Sequence, residues 1–88
     1  MVFIQFTQSD YGQIGILTNT GAVCNAGGNR PDGSNLTGLK NPQVAGPDGT
    51  ISWSYPQTAT ATGTGQHNVA CTWNGQSTIF SAPFQVGA

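Results

Sequence analysis

The chain has 88 residues, of which two are basic and three are acidic, and its net charge is −1 at neutral pH. So few basic side chains cannot neutralise a row of phosphates or bind an anionic membrane surface, which argues against a nucleic-acid partner. No stretch approaches the apolar length of a transmembrane helix, so no membrane insertion is expected. We expect one domain over residues 1–88, small enough for its stability to be marginal.

Alternation of apolar and polar residues, interrupted by Gly and Pro, predicts short β-strands from end to end. In chain order, the predicted strands cover residues 2–7, 14–17, 22–26, 51–55, 69–73 and 80–86, and a weak signal lies within 34–45. Turn signals separate them, such as Pro31-Asp32-Gly33 and Pro47-Asp48-Gly49. Six or seven short strands with regular turns predict an all-β fold of two antiparallel sheets.

The dipeptide Asn74-Gly75 predicts a two-residue hairpin turn, and the turn fixes a register. Trp73 then lies opposite Gln76 and Cys71 lies opposite Thr78. This register also makes the apolar face of the strand before the turn continue into that of the strand after it. The predicted core consists of inward-facing residues of every predicted strand after the first: Ile14, Ile16, Cys24, Ile51, Trp53, Val69, Cys71, Phe80, Phe84 and Val86.

Cys24 and Cys71 share the inward phase of their strands, which favours a disulfide between them. Disulfides persist in oxidising compartments, so the pair indicates a secreted or cell-surface protein. Two buried, reduced thiols in a cytosolic protein are the alternative. The N-terminal residues lack the basic flank and apolar length of a signal peptide, so secretion implies a leader already removed or a domain of a longer chain.

The run Gly21-Ala22-Val23-Cys24, the segment 48–55 with Trp53, and Val69-Ala70-Cys71 together resemble a bacterial extracellular immunoglobulin-like module, also called fibronectin-III-like. The resemblance covers roughly residues 12–86. It implies an immunoglobulin-like sandwich of about seven strands, a bridged pair formed by the two cysteines, a core Trp53 and no catalytic residue. The chain departs from antibody domains because Val69 stands where they carry a Tyr two residues before the second Cys.

Residues suited to catalysis or metal binding are scarce. His67 is the single His, and we expect it to be a rim or cap residue. The three Asp residues fall in turns, where they bond the local backbone, and no spacing fits a zinc or calcium site. Lys40 lies in a loop-like segment without a Glu to promote an isopeptide bond. We therefore expect no enzyme activity, no cofactor and no metal.

Three surface features have two interpretations each. Trp73 either forms a sugar-stacking platform together with Tyr11 or lies at the edge of the core. Thr58, Thr60, Thr62 and Thr64 recur at every second residue, as a flat ladder or as a low-complexity connection. The third feature is the sequon Asn35-Leu36-Thr37, which is either a glycosylation site or a chance match.

The first strand is apolar on both faces and uncharged, which makes Phe3 a possible contact residue. The sequence thus favours a non-catalytic structural or spacer module of a secreted or cell-surface protein. The alternative is a recognition or self-assembly module that binds a protein, a glycan or copies of itself through strand edges. Neighbouring modules of the same chain are the partners that a spacer implies.

Overall fold

The computed structural model describes residues 2–57 and 61–87, which form two antiparallel sheets packed into a β-sandwich. The predicted all-β, two-sheet fold is confirmed. Within the described residues the strands are β1 (Ile4–Asp10), β2 (Gln13–Thr18), β3 (Val23–Asn29), β4 (Gln43–Val44), β5 (Thr50–Ser54), β6 (Gly63–Trp73) and β7 (Gln76–Val86). The described part of the chain contains no helix of the length and apolarity needed to cross a membrane.

The strand order is β1-β2-β5 in one sheet and β4-β3-β6-β7 in the other. β1 and β7 are therefore edge strands of different sheets. They lie beside each other along one side of the sandwich, and we call this side the β1–β7 seam. Both strands run in the same direction along it, since Ile4 and Phe80 line one end and Ser9 contacts Pro83 at the other.

The hairpin between β6 and β7 has the predicted register. Asn74 and Gly75 adopt positive φ angles of 52° and 75°, which is the conformation that a type I′ turn requires. Trp73 pairs with Gln76, and the pairing continues without a register shift to the end of β7. The two longest strands are thus set by a local signal in the sequence.

The predicted disulfide between Cys24 and Cys71 is confirmed. The two residues face each other on the neighbouring strands β3 and β6, so the bridge lies within one sheet. In antibody domains the bridge instead joins the two sheets. A bridge across a separation of 47 residues stabilises the fold by about 4 kcal/mol in the chain-entropy model. Here it fixes β3 against β6, so the two sheets are held together by side-chain packing and hydrogen bonds and not by the bridge.

Trp53 anchors the long connection between β3 and β4 to the core. Its indole Nε1 donates to the carbonyl of Lys40 (3.0 Å) and to Oδ1 of Asn41 (3.1 Å). The Asn41 amide also accepts from the backbone N–H of Ala26 and donates to its C=O, each at 2.8 Å. The Asn41 side chain thereby makes the two backbone hydrogen bonds that a residue of a neighbouring strand would make with Ala26. These bonds hold the connection over Trp53.

The buried apolar residues come from both sheets and agree with most of the predicted core: Val2, Ile4, Ile14, Ile16, Ala22, Cys24, Ala26, Leu36, Ala45, Ile51, Trp53, Tyr55, Val69, Cys71 and Phe84. Val86 is partly buried against them. Phe80 corrects the prediction, because it is 50 % exposed. It occupies the inward face of β7, but the three-stranded sheet is narrower than the four-stranded one and leaves this part of the edge strand uncovered.

The expectation that His67 lies at the rim is also wrong, since its side chain is fully buried. β6 begins at Gly63, six residues before the predicted start at residue 69. His67 therefore sits inside the strand on its inward face. Thr58 and Thr60 lie outside the described residues, whereas Thr64 belongs to β6.

Candidate functional site

The β1–β7 seam is open at one end, where a groove of about 650 Å³ separates the two strands. We call it the lateral groove. Its lining comes from the first residue of β1 with the two residues before it, and from the first half of β7: Val2, Phe3, Ile4, Gln76, Ser77, Thr78 and Phe80. None of these side chains is charged, so the groove suits an uncharged and largely apolar occupant.

The β1 side of the groove is held in place by hydrogen bonds to the end of β2 and the residue after it. The buried hydroxyl of Thr18 donates to the Phe3 carbonyl at 2.5 Å, and the Phe3 N–H donates to Oδ1 of Asn19 at 3.0 Å. Val2 and Ile4 point into the core, while Phe3 points outwards and is 40 % exposed. The predicted contact residue Phe3 therefore lines the groove.

The β7 side of the groove is an open strand edge. The residues that flank a two-residue turn form a hydrogen-bonded pair, and such pairs alternate along an antiparallel ladder. In β7 the even-numbered residues from Gln76 onwards thus bond to β6. The backbone N–H and C=O groups of Ser77, Ile79 and Ser81 point the other way, and no described strand pairs with that side of β7.

Pro83 confirms this assignment of the ladder. It belongs to the same outward-pointing set, where the missing N–H of proline costs no bond to β6. Its carbonyl accepts a hydrogen bond from the Ser9 hydroxyl of β1 at 2.9 Å. The open part of the edge therefore ends at Pro83, where β1 closes the seam.

At this closed end, a chain of hydrogen bonds crosses between the two sheets. The Tyr55 hydroxyl lies 2.7 Å from Nε2 of His67, and the Ser9 hydroxyl lies 2.8 Å from Nδ1 of the same ring. Tyr55 follows β5, His67 belongs to β6, and Ser9 and Pro83 belong to the two edge strands. Four segments from both sheets are thus joined through one buried imidazole.

The donor and acceptor of each of these hydrogen bonds follow from the number of protons available. The single Ser9 proton is donated to the Pro83 carbonyl, so Ser9 Oγ accepts the Nδ1 proton of His67. Nε2 is then the unprotonated nitrogen of the neutral ring and accepts the Tyr55 hydroxyl proton. Every polar atom of the imidazole is satisfied in this neutral tautomer.

Burial lowers the pKa of His67 to about 4, since the charged ring is poorly solvated in the core, and nearby Asp10 opposes this shift in part. Burial also raises the pKa of the Tyr55 hydroxyl. Both groups are therefore neutral at physiological pH. A second proton on His67 would require Nε2 to donate where it now accepts from Tyr55.

The Ser9–His67 pair does not have the arrangement of an activated nucleophile. In a serine hydrolase the hydroxyl donates to the imidazole, which then takes its proton. Here the imidazole donates to Ser9, and its other nitrogen is occupied by Tyr55. The arrangement is suited to joining strands.

An aromatic cluster packs around the buried imidazole. The Phe84 ring stacks on His67 with 4.2 Å between the ring centroids, and Tyr11 stacks on Phe84 at 6.1 Å. Gly65 lies opposite Phe84 in the ladder, and a Cβ there would overlap the phenyl ring. The cluster fills the space between the strands at the closed end of the seam.

The geometry argues against the sugar-stacking platform of Trp73 and Tyr11. Trp73 pairs with Gln76 at the start of β7, whereas Tyr11 contacts Phe84 eight residues further along the same strand. Eight strand residues span about 27 Å. Trp73 packs partly buried against the core, in agreement with its interpretation as a core-edge residue.

Sequence reasoning missed the central residues of both ends of the seam. Ile79 was assigned no role, yet the hairpin turn at Asn74-Gly75 already placed its backbone on the open side of β7. The partners of His67 had no signal in the sequence, because Ser9 and Tyr55 come from the opposite sheet and meet His67 only when the two sheets pack.

Among the described residues, no group of three or more His, Cys, Asp or Glu side chains is arranged to hold a metal ion. Comparison of the chain with protein-family models, curated proteins and solved structures gives no match.

Proposed function

We propose that this chain is a non-catalytic recognition or assembly module, which binds a neighbouring polypeptide through the lateral groove and the adjoining open edge of β7. The observation that carries this proposal is the combination of the two features at one place. The groove offers exposed apolar side chains, and the edge offers unpaired backbone groups, so an extended segment can satisfy both.

The chemistry of the groove specifies the kind of segment. Its backbone must be extended to pair with Ser77, Ile79 and Ser81, and every second side chain then faces the groove. Since the groove lining carries no charge, a charged side chain would lose hydration without gaining a partner. The expected occupant is therefore an uncharged strand with apolar residues on one face.

The disulfide supports a secreted or cell-surface location for this module. A cross-strand bridge between Cys24 and Cys71 requires an oxidising compartment to form and persist. The scarcity of charged residues and the engaged imidazole of His67 support the absence of catalysis.

The resemblance to bacterial immunoglobulin-like modules is proposed at the level of strand order. In an immunoglobulin constant domain the first, second and fifth strands share one sheet, and the third, sixth and seventh share the other. The present strands are distributed in the same way. The position of the disulfide differs, as described above, and so does the fourth strand, which joins the sheet of β3.

A passive spacer is the second candidate, and the shape of the molecule favours it. The principal extents are 41 × 19 × 18 Å, so the module is about twice as long as it is wide. A spacer needs no open groove, however, and exposed Phe3 and Phe80 would have no role in it.

The proposal is tested with a short, end-blocked peptide of alternating threonine and valine, titrated into the isotope-labelled chain and followed by amide chemical shifts. We expect shifts at Ser77, Ile79 and Ser81 and around the lateral groove. Phe80→Lys should abolish them, because it places a charge in the groove. Val44→Lys, which changes a residue that is 62 % exposed on another edge strand, should leave them intact.

Absence of peptide-induced shifts, together with a chain that stays monomeric up to millimolar concentration, would overturn recognition through this groove and favour the spacer.

A further inference from the structure

The open edge of β7 extends equally far on both sides of Ile79, so it can pair with the same edge of a second copy. We infer that two copies of this chain pair through β7, antiparallel and around a two-fold axis at Ile79, to form one continuous eight-stranded sheet. The inference rests on the proposed function, since it names the partner that uses the lateral groove.

The limits of the open edge set this register. The turn residue Gly75 lies at one end, and Pro83, which is covered by Ser9 of β1, lies at the other. Residue 79 is midway between residues 75 and 83. A two-fold axis there sets Ile79 opposite Ile79 of the second copy and Ser77 opposite Ser81. All three outward-pointing residues between the turn and Pro83 are then paired, and each facing pair exchanges two hydrogen bonds.

The side chains on both faces of β7 also suit this pairing. Ile79 is 65 % exposed on the outer face and would be covered by its equivalent from the second copy. On the inner face, Phe80 lies next to Thr78 of the second copy, so each half-exposed phenyl ring enters the neighbour's side of the lateral groove. Cross-strand apolar and hydroxyl pairs of this kind stabilise antiparallel ladders.

The charge distribution favours a second copy over a charged partner. β7 contains no Asp, Glu, Lys, Arg or His, so two identical edges meet without like-charge repulsion. The whole chain carries a net charge of −1, which gives little long-range repulsion between copies. Native edge strands are usually protected by Lys, Pro or a bulge, and the segment from Gln76 to Ala82 has none of these.

The pairing is tested by single cysteine substitutions on the open edge, with mild oxidation of the native protein and mapping of the linked peptides. Facing residues of a hydrogen-bonded pair have Cα atoms about 5.5 Å apart, within the range that a disulfide spans. Ile79→Cys should therefore form a covalent dimer by itself. Ser77→Cys and Ser81→Cys should each form no covalent dimer alone and should become linked when the two variants are mixed.

Two further variants test the same pairing without new thiols. Ile79→Pro removes an outward N–H that β6 does not use, so the fold should persist while self-association weakens by about tenfold or more. Val44→Lys, at the opposite edge of the same sheet, should associate like the wild type. Circular dichroism of each variant confirms that the sandwich is retained.

Linkage of Ser77→Cys alone, or failure of Ile79→Cys to link, would exclude the two-fold register. If the threonine–valine peptide binds at the groove but the wild type sediments as a monomer at millimolar concentration, the homodimer is excluded and the proposed function stands. If neither association occurs, both fail.

Discussion

The two ends of the β1–β7 seam are built from the same pair of strands and differ in what lies between them. At the closed end, Phe84, Tyr11 and the buried His67 fill the space, and a hydrogen-bond chain joins both sheets. At the open end, Phe80 is half exposed and a groove remains. The comparison shows that the position of a residue on the inward face of an edge strand does not ensure burial.

The two ends are also expected to have different roles, the closed end in the stability of the fold and the open end in association with other chains. Residues of the closed end contact one another within the chain, so their substitution is expected to change the free energy of unfolding. Residues of the open end present apolar side chains and backbone groups to the surroundings, so their substitution is expected to change association instead. Each of the following experiments tests one side of this separation.

The largest expected effect comes from comparing Phe84→Ala with Phe80→Ala, which remove the same side chain from the same face of β7. Phe84 is 2 % exposed, so its truncation leaves a cavity against His67 and should cost about 3–5 kcal/mol of unfolding free energy. Phe80→Ala should cost less than about 1 kcal/mol, since the ring is already half solvated. Urea unfolding midpoints measure both, and equal losses would contradict the contrast between the two ends.

The next effect is the pH dependence of stability at the closed end. The pKa of His67 falls from 6.5 when unfolded to about 4 when folded, so the unfolded chain binds more protons between these values. Unfolding free energy should therefore decrease as pH falls from 6.5 to 4, by up to about 3 kcal/mol. Urea titrations at several pH values measure the slope.

The aspartates titrate in a different window and serve as an internal control. Hydrogen bonds to Ser34 and to Thr50 lower the pKa values of Asp32 and Asp48 below 3.8. Their contribution to the free energy of unfolding is complete above pH 3.8 and is lost only as the pH falls further. A His67→Gln variant should thus lose the slope between pH 4 and 6.5, and a slope that persists would assign it to another group.

Tyr55→Phe should have a smaller effect, because it removes one donor and keeps the aromatic ring. Nε2 of His67 then remains buried without its hydrogen bond, which should cost about 1–3 kcal/mol. Ser54→Ala, at the neighbouring exposed position of β5, is the matched control with no expected change. Tyr55→Phe should also raise the pKa of His67, since the donor to the neutral ring is gone, and NMR titration of the imidazole measures this shift.

The smallest effect on stability is expected from Phe3→Lys at the open end. Exposed substitutions usually change stability by less than about 0.5 kcal/mol. The added charge should nevertheless reduce any concentration-dependent light scattering of the wild type, because Phe3 lines the lateral groove. A clear loss of stability with unchanged scattering would place Phe3 among the structural residues.

The accuracy of the sequence-based predictions varied along the chain for physical reasons. The hairpin at Asn74-Gly75 was correct in turn and register, since both depend on neighbouring residues. The pairing of Cys24 with Cys71 was also correct. The first strand was displaced, because Gln8 and Asp10 pair with β2 through backbone groups that hydropathy does not reflect.

The sequence by itself determined the all-β class, the disulfide, the β6–β7 register and most of the core. These follow from side-chain alternation, from turn residues and from the inward phase of the cysteines, all of which are local. Tertiary structure alone decided that Phe84 is buried and Phe80 is not, and that His67 meets Ser9 and Tyr55. Coverage of an edge strand depends on the relative width and placement of two sheets, which the alternation pattern of a single strand does not encode.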